Sequence, residues 1–214
     1  MLGIFGGTFD PVHYGHIKPA LSVQKALALS QLRFIPNRDP PHRETPWLSV
    51  EQRLSLLQAA LKDYPSVVID ERELHRDGPS YMVDTLKSLH HDFPEQTLCL
   101  ILGLDAFAGI TTWFEWRALF DLCHLVVITR PGFELSDIKQ RMSADEYQFL
   151  ADRMVAHAGE LTPGESGKIL LQSVPKLDIS STRIREMLQK NEDISDWLPA
   201  SVFQKLRGYI DESR

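Results

Sequence analysis

His13 and His16 stand three residues apart with Gly15 between them, at the end of the run Gly6-Gly7-Thr8-Phe9-Asp10-Pro11-Val12-His13-Tyr14-Gly15-His16. Imidazoles carry ring N–H donors and titrate near neutrality. Glycines, lacking a Cβ, let a bulky group come close to the main chain. The run follows the apolar Leu2-Gly3-Ile4-Phe5 and precedes an amphipathic stretch, so it reads as a strand handing over to a helix. Such a junction gathers free N–H groups and the positive end of a helix dipole, which suits the binding of a phosphate. Zinc is the rival for a histidine pair, but no Cys, His or Asp set at ligand spacing surrounds these two. Neither G-x-G-x-x-G nor G-x-x-x-x-G-K-[ST] occurs, which sets aside NAD held for hydride transfer and ATP held in a P-loop.

A second phosphate-type helix start is Lys176-Leu177-Asp178-Ile179-Ser180-Ser181-Thr182-Arg183-Ile184-Arg185. Hydroxyls at Ser180, Ser181 and Thr182 can cap a helix or grip an anion, and two arginines follow within a turn. Alone, this stretch reads as a capped helix; beside the first junction it becomes a second jaw.

Two such junctions need a scaffold that brings helix starts to one edge. Apolar runs at 2–5, 32–36, 67–70, 98–103, 125–129 and 169–174 are expected to be strands. Several are apolar on consecutive residues, as in a parallel sheet covered on both faces. Amphipathic segments near 16–29, 49–63 and 80–92 lie between them, with Ser49 and Gln52 spaced as a capping box. The alternation implies right-handed βαβ units and an α/β doubly wound, Rossmann-like parallel sheet flanked by helices. One domain over 1–214 is expected, with a charged helical and loop insertion at 134–167 and C-terminal helices within 180–214.

The 214 residues are 43% hydrophobic and 24% charged, with a formal net charge of −6, which argues against a non-specific nucleic-acid binder. Cys99 and Cys123 lie in apolar runs and read as buried strand residues. No 18-residue apolar stretch occurs, so no membrane association and a cytoplasmic location are expected.

His13-Tyr14-Gly15-His16 together with Ile179-Ser180-Ser181-Thr182-Arg183-Ile184-Arg185 resembles the HxGH/ISSTxxR nucleotidyltransferase superfamily, whose members are similar to the catalytic halves of class I aminoacyl-tRNA synthetases. Within it the chain resembles the bacterial nicotinate-nucleotide adenylyltransferases. The stretches IPNRDPPHR (35–43), DERELHRDGPSYMVDTL (70–86), GLDAF (103–107), TTWFEW (111–116) and TRPG (129–132) continue the likeness in family order. Met82 departs from the family, which often has Thr after Ser-Tyr.

The resemblance implies transfer of AMP from ATP to nicotinate mononucleotide, with Mg²⁺ accompanying ATP and no protein-held metal. It implies that His13, His16 and Arg185 are catalytic at the phosphates, while Arg183 falls off the motif. Gly6, Gly7, Thr8, Phe9, Gly15, Gly103, Asp105, Arg130, Ser180, Ser181 and Thr182 are expected along ATP, though Asp105 equally suits a plain helix N-cap. Around the acceptor the expected residues are His42, Arg43, Tyr81, Thr85, Trp113 and Phe114, with backbone amides at the pyridine carboxylate. As bare sequence, Trp113 could instead be core and NRDPPHR a stiff solvated loop. A phosphopantetheine or nicotinamide-mononucleotide adenylyltransferase, a non-catalytic nucleotide sensor and a tRNA-binding synthetase fragment are the competing readings. Intact His13, His16 and Arg185 weigh against the sensor, and the acidic balance against tRNA.

Overall fold

The computed structural model describes residues 1–38, 45–129, 132, 134–174 and 177–212. Seven parallel strands form one sheet in the order β3-β2-β1-β4-β5-β7-β6: β1 Leu2–Gly7, β2 Gln31–Pro36, β3 Val67–Ile69, β4 Leu98–Gly103, β5 Cys123–Thr129, β6 Met154–Val155 and β7 Ile169–Ser173. The helices are α1 Tyr14–Ala26, α2 Val50–Leu61, α3 Met82–Asp92, α4 Leu104–Ala108, α5 Leu119–Leu122, α6 Ala144–Ala151, α7 Ser181–Gln189 and α8 Ala200–Glu212.

The consecutive apolar residues of the strands are buried because both faces of the sheet are covered. Phe5 joins a core under α1, α2, α7 and α8, with Ile17, Val23, Leu56, Leu57, Ile184, Val202 and Leu206. Leu2 and Ile4, on the opposite face of the same strand, join a second core under α3 to α6, with Val83, Leu86, Phe107, Leu119 and Leu150. Both cysteines lie buried in these strands, and burial pushes the Cys99 thiol up to about 11.

The expected α/β doubly wound parallel sheet is observed. The capping box at Ser49 is present in full: its Oγ accepts from the Gln52 N–H, and its own N–H donates to Gln52 Oε1. The third helix begins at Met82, two residues later than the expected segment near 80–92, with Tyr81 at its N-cap. The 134–167 segment carries α6 and also β6, an edge strand of two residues too short to leave a pattern in the sequence. No described helix is long and apolar enough to cross a membrane.

The strand order reverses between β1 and β4, which run side by side while their helices lie on opposite faces. In open α/β sheets the crevice at such a switch point, outside the carboxyl ends of the strands, is where ligands bind.

Candidate active site

A cavity of about 1030 Å³ opens at that point. Gly6, Gly7, Thr8 and Phe9 line it from the end of β1, with Gly15 and His16 from α1 beside them. Ser181, Thr182 and Arg185 enter from the start of α7, so the two helix starts separated by most of the chain face one space. Tyr81, Gly103, Asp105, Trp113 and Phe114 line the far side.

The two histidines differ sharply. His16 lines the cavity, whereas His13 is 3% exposed and stacks behind it, ring centroids 3.8 Å apart and planes 27° from parallel. Burial, and secondarily the charge of His16, push the His13 imidazole down to about 2, so it is neutral at physiological pH. The Phe9 and His16 rings also meet edge to face, 5.3 Å apart. Phe9 adopts φ +50, an unusual conformation for an aromatic residue, and its ring packs where a Cβ on Gly7 would sit 3.0 Å from it. Gly15 is needed for packing as well as for room. A Cβ there would meet the His13 ring at 2.8 Å and the Ile179 carbonyl at 3.0 Å.

The second jaw is fastened to the first. Ser180 caps α7 by accepting from the Arg183 N–H, is exposed, and does not line the cavity. Ser181 donates to the Pro11 carbonyl at 3.1 Å. Arg185 donates to the Asp10 carbonyl at 2.6 Å and lies 3.6 Å from the Asp10 carboxylate, which itself accepts the Trp47 and Leu48 N–H groups. Arg185 also reaches Thr182 Oγ1, leaving its guanidinium at the cavity wall. Arg183 points elsewhere, paired with Asp178 and lying over the Trp197 ring.

At the far side Phe114 is 49% exposed and stacks on Tyr81, centroids 4.6 Å apart. Trp113 is half-buried at the cavity wall, while Trp116 of the same aromatic stretch is core, packed on Phe120 and Phe149. Thr85 is fully buried and does not line the cavity: its hydroxyl donates to Glu73 at 2.6 Å and accepts from Arg76 at 3.0 Å. Glu73 does line it, and burial pushes its carboxyl above the usual carboxylate range. His42, Arg43 and Arg130 lie outside the described residues.

Sequence reasoning passed over Asp10, Glu73 and Arg53. Arg53, on α2, is 1% exposed and donates to the carbonyls of Thr8, Asn37 and Arg38. One signal was available, because Arg53 begins the buried stripe Arg53, Leu56, Leu57, Ala60, Leu61, where a helix turned toward the core should carry an apolar residue.

Among the described residues no group of three or more His, Cys, Asp and Glu could hold a metal ion. The Asp10 carboxylate is taken up by two N–H groups and Arg185, which leaves Asp105 as an exposed carboxylate at the cavity.

Comparison with known proteins gives the geometry its context. The family model described as cytidylyltransferase-like matches residues 4–187. A probable nicotinate-nucleotide adenylyltransferase of Halorhodospira halophila is 45% identical over 205 residues, covering 96% of this chain and 92% of that one. Its counterpart in Methylococcus capsulatus is 42% identical, covering 95% of each chain. In fold, the chain is similar to the solved Plasmodium falciparum nicotinic acid mononucleotide adenylyltransferase complexed with NaAD, with a TM-score of 0.70 at 20% identity, over 97% of this chain and 95% of that one. The matched span runs from β1 through α7 and takes in both helix starts, and the chain belongs to the cytidylyltransferase-like family, among its nicotinate-nucleotide adenylyltransferases.

Proposed function

We propose that the protein transfers AMP from ATP to nicotinate mononucleotide, forming nicotinate adenine dinucleotide and pyrophosphate in cytoplasmic NAD biosynthesis. The observation that carries this reading is the convergence of two helix starts, His16 on one and Thr182 with Arg185 on the other, on a single cavity of about 1030 Å³. That volume is at the upper end of the ~300–1,000 Å³ usual for small-molecule sites, as two substrates held together require. The shared name of relatives at 42–45% identity supports the choice of acceptor.

The chemistry suits these residues. A phosphate oxygen of the acceptor is anionic at neutral pH, so it can attack the α-phosphorus of ATP without a general base or a covalent enzyme intermediate. The new P–O bond forms as the bond to the β-phosphate oxygen breaks, and that electron pair leaves with pyrophosphate. What remains for the protein is to align two mutually repelling anions and offset the charge that builds on the phosphorus and leaving group.

In this reading the His16 ring donates to the reacting phosphates, and neutral His13 behind it fixes its plane. Arg185, Ser181 and Thr182 close on the triphosphate from the opposite side, with Ser180 as the cap that sets their helix. Main chain at Gly6 to Phe9, with Gly15, passes along the nucleotides, and Gly103 and Asp105 lie toward the ATP ribose; the family resemblance assigns Arg130 to ATP as well. Mg²⁺ would travel on the ATP phosphates and shield their charge.

Trp113 stacks on the pyridine, flanked by Tyr81 and Phe114, and first-turn N–H groups of α3 meet the carboxylate. A carboxamide would turn its NH₂ toward those donors and leave both sides unpaired, which favours the acid over the amide. Thr85 supports this corner from behind through Glu73 and Arg76, and His42 with Arg43 takes the acceptor phosphate.

The test is a label transfer. With ATP labelled at the α-phosphorus, the label should pass to the dinucleotide and none to pyrophosphate or protein. Label fixed to the protein would overturn direct transfer, and no labelled dinucleotide would overturn the activity.

A further inference from the structure

The guanidinium of Arg53 lies under the two loops that leave the centre of the sheet. It is 1% exposed. Nη1 donates to the Thr8 carbonyl at 2.8 Å and the Asn37 carbonyl at 2.9 Å, and Nη2 to the Arg38 carbonyl at 3.4 Å. Thr8 immediately follows β1 and Asn37 immediately follows β2, and both line the cavity. The loops are also tied to each other, by the Asn37 N–H to the Gly7 carbonyl and the Asn37 side-chain amide to Thr8 Oγ1.

A trans peptide is planar and sets its N–H opposite its carbonyl. Where Arg53 draws a carbonyl down, the N–H of the next residue is therefore aimed up, toward the cavity. Arg38 shows the effect: with the Asn37 carbonyl on Arg53, the Arg38 N–H reaches Ser80 Oγ, a cavity-lining group, at 3.3 Å. The Thr8–Phe9 peptide is held in the same way, at a residue whose φ of +50 an aromatic side chain would not choose unaided.

We propose that Arg53 is a positioning residue for adenylyl transfer: it turns the Thr8–Phe9 peptide so that the Phe9 N–H points at the reacting phosphates. The inference rests on the function proposed above. Only a planar fork reaches three carbonyls in fixed directions; a lysine keeps the charge but not the geometry. A donor aimed at charge that develops during reaction acts on kcat more than on KM.

The first experiment compares Arg53→Lys with the wild type, with rates normalised to the folded fraction from circular dichroism. The expected result is a loss of about 10²-fold in kcat with both KM values within about threefold. Unchanged kcat per folded molecule, whatever the melting temperature, overturns the proposal and reduces Arg53 to a structural strut. Absence of turnover in the wild type would instead sink the function reading, so the two failures are separable.

A second measurement needs no variant. Thr8-Phe9 is the sole Thr-Phe pair in the chain. Labelling threonine carbonyls with ¹³C and phenylalanine amides with ¹⁵N therefore isolates one N–H resonance. On adding Mg²⁺ and an ATP analogue with a methylene bridge between the α- and β-phosphates, that resonance should move strongly downfield. A resonance that stays in place at saturation overturns the proposal even if Arg53→Lys fails to fold.

Discussion

Replacing Gly15 by alanine should separate stability from catalysis. The new Cβ would lie 2.8 Å from His13 Nδ1, 2.9 Å from His13 Cε1 and 3.0 Å from the Ile179 carbonyl oxygen. Neither neighbour retreats easily: the His13 ring is 3% exposed and stacked on His16, and the carbonyl belongs to the main chain leading into α7. Over-packing of this kind costs about 1–3 kcal/mol, whereas alanine in place of glycine in a helix returns about 1 kcal/mol. The net loss is about 0–2 kcal/mol, and at 2–4 °C per kcal/mol for a chain of this size the melting temperature should fall by no more than about 8 °C. Catalysis should suffer far more, because the same methyl pushes apart the histidine pair and the second jaw. A displacement of about 1 Å at a reacting centre can cost about 10²-fold. Thermal unfolding by circular dichroism, run alongside pyrophosphate release, reads both. A variant with wild-type kcat and a raised melting temperature would refute the reasoning, since only helix propensity would then have changed.

Other consequences follow from the same geometry. His16→Ala should retain its far-UV spectrum and lose about 10²–10³-fold in kcat, as for the removal of a donor to transition-state charge; loss of the fold would assign the ring to packing instead. Trp113→Ala should raise the KM for nicotinate mononucleotide about 5- to 30-fold, from a stacking contribution of about 1–2 kcal/mol, and leave the KM for ATP unchanged; an unmoved acceptor KM would remove Trp113 from that site. His13 should make the fold sensitive to acid. Its imidazole takes a proton near 6.5 when unfolded but only near 2 when folded, so the unfolded state binds more protons in between and stability falls as pH drops below 6.5. At about 1.4 kcal/mol per pH unit, the loss from pH 6.5 to 5 is about 2 kcal/mol. Denaturant titrations of wild type and His13→Gln at pH 7 and 5 isolate this contribution, and equal pH dependence in the two proteins would contradict the buried neutral ring.

What could be read from the chain and what could not divide along physical lines. The central strands were legible because burial on both faces leaves consecutive apolar residues, as in Cys123–Thr129. The helix starts were legible because capping and glycine spacing are local, as at Ser49 with Gln52. The short helices between β4 and β5, such as Leu104–Ala108 and Leu119–Leu122, hold too few residues to show a period, and β6 has two. The site divides in the same manner. The positions of His16, Thr182 and Arg185 at helix starts follow from spacing, but the burial of His13 behind the His16 ring is set by tertiary packing that spacing does not reveal. The family resemblance sets Thr85 at the acceptor, yet it shares the inward face of α3 with Val83, Leu86 and Leu89, where Glu73 and Arg76 are its partners. Arg53 was hidden because its partners are backbone carbonyls, which leave no complementary residue type in the sequence to look for.

The most direct test of the account is a competition between acceptors. Pyrophosphate release would be followed with ATP and Mg²⁺ while nicotinate mononucleotide, nicotinamide mononucleotide or phosphopantetheine is supplied in parallel. A kcat/KM for the nicotinate form at least about 10²-fold above the amide is the predicted result, as for a site that leaves buried donors unpaired against the wrong group. Equal rates with acid and amide, or faster release with phosphopantetheine, would contradict it.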